Sequence, residues 1–125
     1  MAENCINPTR LGIGIVYREI NKQGIFYCVK EVSDGSITFD SLSGSVERSG
    51  TFNGNEAREL AGKLTDIEFN SSEYLAIRDL VNGSRLAKYI ERTEAEDSKI
   101  HPEIKEHVVK DLQARAEWFK TRMHL

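Results

Sequence analysis

The hydrophobic pattern of this chain changes period once, at Asn53-Gly54-Asn55-Glu56. Before that point apolar residues alternate, as on a strand with one buried face; after it they recur every three or four residues, as on a helix. The stretch LGIGIVYREI places Ile13, Ile15 and Tyr17 on one face and Gly12, Gly14 and Val16 on the other. This predicts a strand whose glycines admit a close neighbour or a bulge. Asn21-Lys22-Gln23-Gly24 has turn chemistry, and GIFYCVKEV is a second strand rich in β-branched and aromatic residues. Asp34-Gly35 predicts a tight hairpin of type I′, which needs positive φ at both central positions. SITFDSL follows with Ile37 and Phe39 inward, and Ser43-Gly44 turns the chain into SVERSGTF. The expected first half is a four-stranded antiparallel meander, preceded by a polar, loosely held arm over residues 1–10.

Beyond the switch, Asn53 and Glu56 have the spacing of an N-cap and its reciprocal N3 residue, opening a short helix that docks through Leu60 and Leu64. TDIEF is an extended link. Asn70 and Glu73 repeat the capping spacing ahead of EYLAIRDLVNGSRLAKYIERT. Asn82-Gly83 there allows a break, with Ser84 capping a second helix. Ala76, Leu80, Gly83, Ala87 and Ile90 nevertheless step by four and three without interruption, which favours one helix over 71–92. TEAEDSKI is an acidic connector. Pro102 then suits a first helical position, and Ile104, Val108, Leu112, Ala116, Phe119 and Met123 mark one face of a last helix over 101–125.

The fold class expected is α+β. A single domain, 1–125, has a sheet plus short helix over 11–69 and a helical oligomerisation part over 70–125. The two long helices carry more apolar stripe than one small sheet covers. They therefore predict a homo-oligomer, a dimer or higher, formed through the C-terminal helices.

A net charge of −3 over 125 residues, with a pI near 5.6, argues against a general DNA binder, whose footprint is a basic surface. No apolar run is long enough for a membrane span, and MAENCINPTR has neither the basic nor the apolar part of a secretory signal, so a cytoplasmic protein with no membrane partner is expected. Cys28 reads as a small buried strand residue and Cys5 as incidental. Catalysis is not indicated. His101 and His107 are six apart, on opposite sides of a helix, and His124 adds no convergent set, so neither a metal nor a cofactor is predicted. Gly12-x-Gly14 lacks the third glycine and the following helix of a phosphate loop. Serines 33, 36, 41, 43 and 45 are turn chemistry with no base at a telling position, and Glu94, Glu96 and Asp97 are a solvated run.

What remains is a basic and aromatic inventory on the helices. Val108, Leu112, Arg115, Phe119 and Arg122 step along one helical face, placing two guanidiniums in line with an apolar seam beside Trp118. Two readings stand at this point. In one, Arg115 and Arg122 snorkel to solvent or pair with carboxylates such as Asp79 or Glu117. In the other they hold an anion beside an aromatic face, as a nucleotide requires. The ligand-binding set under the second reading is Asn82, Arg85, Tyr89, Arg115, Trp118 and Arg122. The arginines would neutralise phosphate, Tyr89 or Trp118 would stack, and Asn82 would read polar edges.

This layout of a four-stranded antiparallel sheet, a short helix and long C-terminal helices carrying arginines resembles the phage anti-defence family first described as acting against Thoeris immunity. The resemblance covers most of residues 11–125 and is one of layout and size. It implies a non-enzymatic oligomeric sponge in the host bacterial cytoplasm. Such a sponge holds a small cyclic nucleotide, a cyclic ADP-ribose isomer or a cyclic oligonucleotide, so that the immune effector is never activated. The alternative is a protein–protein inhibitor or adaptor that uses its helical surface.

Overall fold

The computed structural model describes residues 7–95 and 101–123; Cys5, His124 and residues 96–100 of the acidic connector lie outside them. The chain divides into two compact units, Met1–Ile67 and Glu68–Leu125.

The first unit is built on an antiparallel sheet of β1 (Val16–Glu19), β2 (Ile25–Ser33), β3 (Ser36–Ser43), β4 (Val46–Asn53) and β5 (Leu64–Asp66), in the order β4-β3-β2-β1-β5. The four-stranded meander is thus present, and Leu64, expected on the short helix, instead opens a fifth strand at the far edge with Thr65 and Asp66, the start of the extended link. Between β4 and β5 lies α1 (Gly54–Lys63). It carries the chain from one edge to the other, over four inter-strand spacings of about 4.8 Å each. A ten-residue helix rising ~1.5 Å per residue covers most of that distance. Ala57, Leu60 and Ala61 of α1 pack with Tyr17, Val29, Ile37 and Phe39 of the sheet and with Leu11 and Leu64. Tyr27, Phe39 and Phe52, on three neighbouring strands, form an edge-to-face row with centroids 5.3 and 5.0 Å apart.

Several local expectations change. The first strand begins at Val16, because Gly14 takes a left-handed φ of 80° and turns Ile13 and Ile15 outward, 65% and 47% exposed. Gly14 and Ile15 still exchange backbone hydrogen bonds with Val29, and the Gly12 N–H donates to the Tyr17 hydroxyl at 2.6 Å. Asp34-Gly35 is the two-residue turn expected, but neither residue has positive φ, so the turn is not type I′ and a side chain at Gly35 meets open space. The turn that requires a glycine is the next one. Gly44 and Ser45 close β3 onto β4, with Gly44 at φ 65° in the first central position, the requirement of a type II′ turn. Gly44→Val therefore costs about 1–3 kcal/mol of backbone strain, measurable as a lowered denaturation midpoint. Asn53 does precede α1, but its side chain makes no capping hydrogen bond. The Gly54 N–H instead donates to the Gly35 carbonyl at 2.8 Å.

Nor are residues 7–10 a loose arm. Asn7 caps a short 3-10 turn, Pro8–Arg10, whose Pro8 is buried. The Arg10 guanidinium donates to the carbonyls of Ala61 and Leu64 at the end of α1. A helix leaves its last carbonyls without intrahelical donors, and a fixed positive fork answers both that need and the helix dipole. Arg10→Ala should lower stability by about 1.5–3 kcal/mol, the range for hydrogen bonds to a charged group. Arg10→Lys, lacking the fork, should recover only part of it in the same chemical unfolding experiment.

The second unit is helical: α2 (Ser72–Val81), α3 (Ser84–Glu94) and α4 (Pro102–Met123) pack pairwise on one another. Ser71, rather than Asn70, caps α2, accepting from the Tyr74 N–H at 3.0 Å, while Asn70 takes φ 67°. The single helix expected over 71–92 is two helices. Gly83 adopts φ 84°, and the Asn82 and Gly83 N–H groups close α2 by donating to the Arg78 and Leu80 carbonyls. Gly83 is a helix terminator, so the stripe from Ala76 to Ile90 is not the face of one helix. A side chain at Gly83 would be strained by the positive φ whatever surrounds it. Pro102 opens α4 as expected, and Trp118 and Phe119 are its buried residues.

Candidate anion-binding site

Charge gathers in the second unit on α3. Arg85, Lys88, Tyr89 and Arg92 fall at steps of three, one and three on a single helical face. With Asp79 and Ser84 they line a cleft of about 500 Å³ at the elbow between α2 and α3. Three cations face one carboxylate in this lining. The carboxylate already has a neighbour, since Arg78 approaches Asp79 at 3.5 Å. Tyr89 is half-buried and presents an aromatic body in the same cleft. Gly83, as N-cap, has no side-chain oxygen for the first-turn N–H groups of α3, and the C-terminal end of α2 at the same elbow carries the opposite partial charge, so the field of the cleft rests on its side chains. The cleft can hold a doubly charged anion with a flat group beside it, and its volume falls within the usual range for small-ligand sites.

Of the six predicted ligand-binding residues, the structure brings Arg85 and Tyr89 into this lining. Asn82 is exposed at the end of α2, where its backbone closes the helix. The other three form a cluster on α4. Arg122 lies over the Trp118 ring at 4.6 Å and donates to the Trp118 carbonyl at 3.4 Å, a cation–π pair within one helix. Trp118 is buried and packs edge-to-face on Phe119 at 5.1 Å. Its indole N–H has no acceptor among the described residues. Arg115 is half-buried; burial pulls its pKa below the ordinary guanidinium value, against the opposing charge of Asp111. Lys88 and Arg92 belong to the basic inventory of the helices but not to the predicted set, although their spacing of three and seven residues from Arg85 puts them on its face.

A second concavity, of about 610 Å³, belongs to the first unit. It lies between α1 and the sheet face bearing Tyr27, Arg48 and Phe52, with Glu19 and Lys22 at one side and Glu56, Glu59 and Lys63 on the helix. Glu19 is buried and 3.6 Å from Lys22. Burial, and then the Glu19 charge, push the Tyr27 phenol up from its usual pKa. Charges of both signs balance in this cleft, so it offers no net attraction for an anion. Among the described residues no group of three or more His, Cys, Asp or Glu is placed to hold a metal, and no helix is long and apolar enough to cross a membrane.

Comparison with protein-family models, with curated proteins and with solved structures finds no match to this chain. The geometry of the α3 cleft is therefore the basis of the functional reading.

Proposed function

We propose that this protein is a non-enzymatic binder of a small anionic nucleotide, held at the α3 cleft. The observation that supports it is the convergence of Arg85, Lys88 and Arg92 around Tyr89, in a chain whose net charge is −3. Guanidinium forks match phosphate oxygens bidentately, the lysine adds a point charge, and the tyrosine ring offers a face for a base. Arg115, Trp118 and Arg122 serve α4 itself under this reading, and Asn82 serves the α2 terminus. A cyclic ADP-ribose isomer or cyclic oligonucleotide fits the charge of the cleft. Sequestering such a signal, in the manner of the anti-defence proteins this layout resembles, is the proposed role in a bacterial cytoplasm. A thermal-shift series against cyclic nucleotides tests it, because a ligand of the folded state raises the melting temperature by mass action. Ligand released intact after denaturation would separate a sponge from an enzyme.

One observation favours a protein–protein inhibitor or adaptor instead. Phe69, ahead of α2, is 74% exposed while its ring lies 5.1 Å from that of Tyr74, an outward aromatic pair of the kind that anchors interfaces. Under that reading Phe69→Ala, and no change on α3, would remove partner binding.

A further inference from the structure

We propose that the outer edge of β4 docks a second copy of this chain, the two β4 strands pairing antiparallel about a two-fold axis at Gly50. This contact lies in the first unit and uses no residue of the C-terminal helices or the α3 cleft, so it stands or falls independently of the nucleotide reading.

β4 is the last strand of the sheet and runs eight residues in unbroken register with β3. Edge strands are ordinarily protected by proline, lysine, bulges or brevity. β4 has none of these four; its only such device is charge, in two residues of opposite sign, Glu47 and Arg48, the latter lining the sheet cleft. Ser49 and Thr51 are exposed. The direction of the backbone groups follows from the register. Ser43 and Val46 close a two-residue hairpin and are a hydrogen-bonded pair, and bonded and non-bonded pairs alternate from there. Arg48, Gly50 and Phe52 therefore spend their N–H and C=O groups on β3. Ser49 and Thr51 direct theirs to the outer edge.

An axis at Gly50 sets Ser49 opposite Thr51 of the second copy, and Thr51 opposite its Ser49, giving four N–H···O bonds. Gly50 then faces its own copy in a non-bonded pair, where the Cα atoms approach to about 4.5 Å and the absence of side chains is an advantage. The side chains agree with this pairing. The small Ser49 and Thr51 side chains, whose hydroxyls bond to Asp40 and Thr38 of β3, oppose each other on one face without bulk or charge, and Arg48 meets the Phe52 ring of the second copy on the other, a favourable cation–π pairing. No like charges are opposed. Because Arg48 and Phe52 both line the sheet cleft, the second copy extends its wall and joins the two clefts across the axis.

The test is sedimentation equilibrium of the full chain at about 100 µM, a concentration that populates even a weak dimer. Three proteins are compared: the unmodified chain, Ser49→Pro and Ser49→Ala. Proline removes the outward N–H without touching a β3 bond; alanine removes only the hydroxyl that donates to Asp40 at 2.6 Å. The expected result is a dimer for the unmodified chain and for Ser49→Ala, and at least tenfold weaker association for Ser49→Pro. A monomeric unmodified chain, or a Ser49→Pro variant that associates unchanged, overturns the proposal. Should Ser49→Pro fail to fold, Ser49→Cys/Thr51→Cys decides instead. Opposed bonded pairs lie within disulfide reach, so mild oxidation should give a covalent dimer that reductant dissolves and that the unmodified chain does not form. Absence of that dimer also overturns it.

Discussion

Replacing Phe39 with alanine is expected to cost about 3–5 kcal/mol, the largest stability loss of any single change considered. Phe39 is the middle ring of the Tyr27–Phe39–Phe52 row and belongs to the cluster that joins the sheet to α1. It also covers Gly50 on β4, where a Cβ would come within 3.4 Å of its ring. Truncation would leave a cavity walled by strands already committed to their ladders, which cannot close in to fill it. The loss should appear as a lower denaturant midpoint at an unchanged slope, the sign of a destabilised but otherwise similar transition. Phe39→Leu, which keeps most of the volume, should cost far less. If alanine costs under about 1 kcal/mol, the row is not the centre of this core.

Combined substitution of Arg85, Lys88 and Arg92 by alanine should abolish nucleotide binding while leaving the unit folded, since Arg85 and Lys88 are exposed and Arg92 lies on the same face. A hydrogen bond to an ionised partner is worth roughly 1.5–3 kcal/mol, so each lost contact weakens binding about ten- to a hundredfold. Single variants should therefore give graded losses, steepest for the arginines, whose forks engage two oxygens at once. Tyr89→Phe should retain binding, because the ring is the part required, and Tyr89→Ala should not. Arg115→Ala and Arg122→Ala provide the contrast. Arg122 holds Trp118 within α4, so its loss should lower the melting temperature and leave affinity for a phosphate ligand unchanged.

The meander was legible because GIFYCVKEV and SITFDSL are rich in β-branched and aromatic residues and two-residue turns mark two of its three corners. β5 was not, since three residues carry no usable period and its pairing with β1 is non-local. The type of the Asp34-Gly35 turn escaped for a different reason: a favourable dipeptide permits positive φ without requiring it. Gly83 shows the limit most clearly. The same glycine satisfies a continuous apolar stripe and a helix terminator, and only the packed structure chooses between them. The candidate site moved for another reason. Arg85, Lys88 and Arg92 share a face with or without the break, but which basic residues line a cleft is set by packing, which gathers these three with Tyr89 and turns Arg122 back on Trp118.

The central claim is that the α3 cleft takes up a phosphate-bearing nucleotide, and titration calorimetry of the purified chain with a cyclic ADP-ribose isomer tests it most directly. The account predicts saturable binding, stoichiometric with the chain and in the micromolar range or tighter, about −8 kcal/mol or better. It also predicts that this binding weakens with added salt and is absent from the Arg85/Lys88/Arg92 triple alanine variant. No heat at millimolar ligand, for this nucleotide and for cyclic oligonucleotides alike, would contradict it, as would binding that survives in the triple variant.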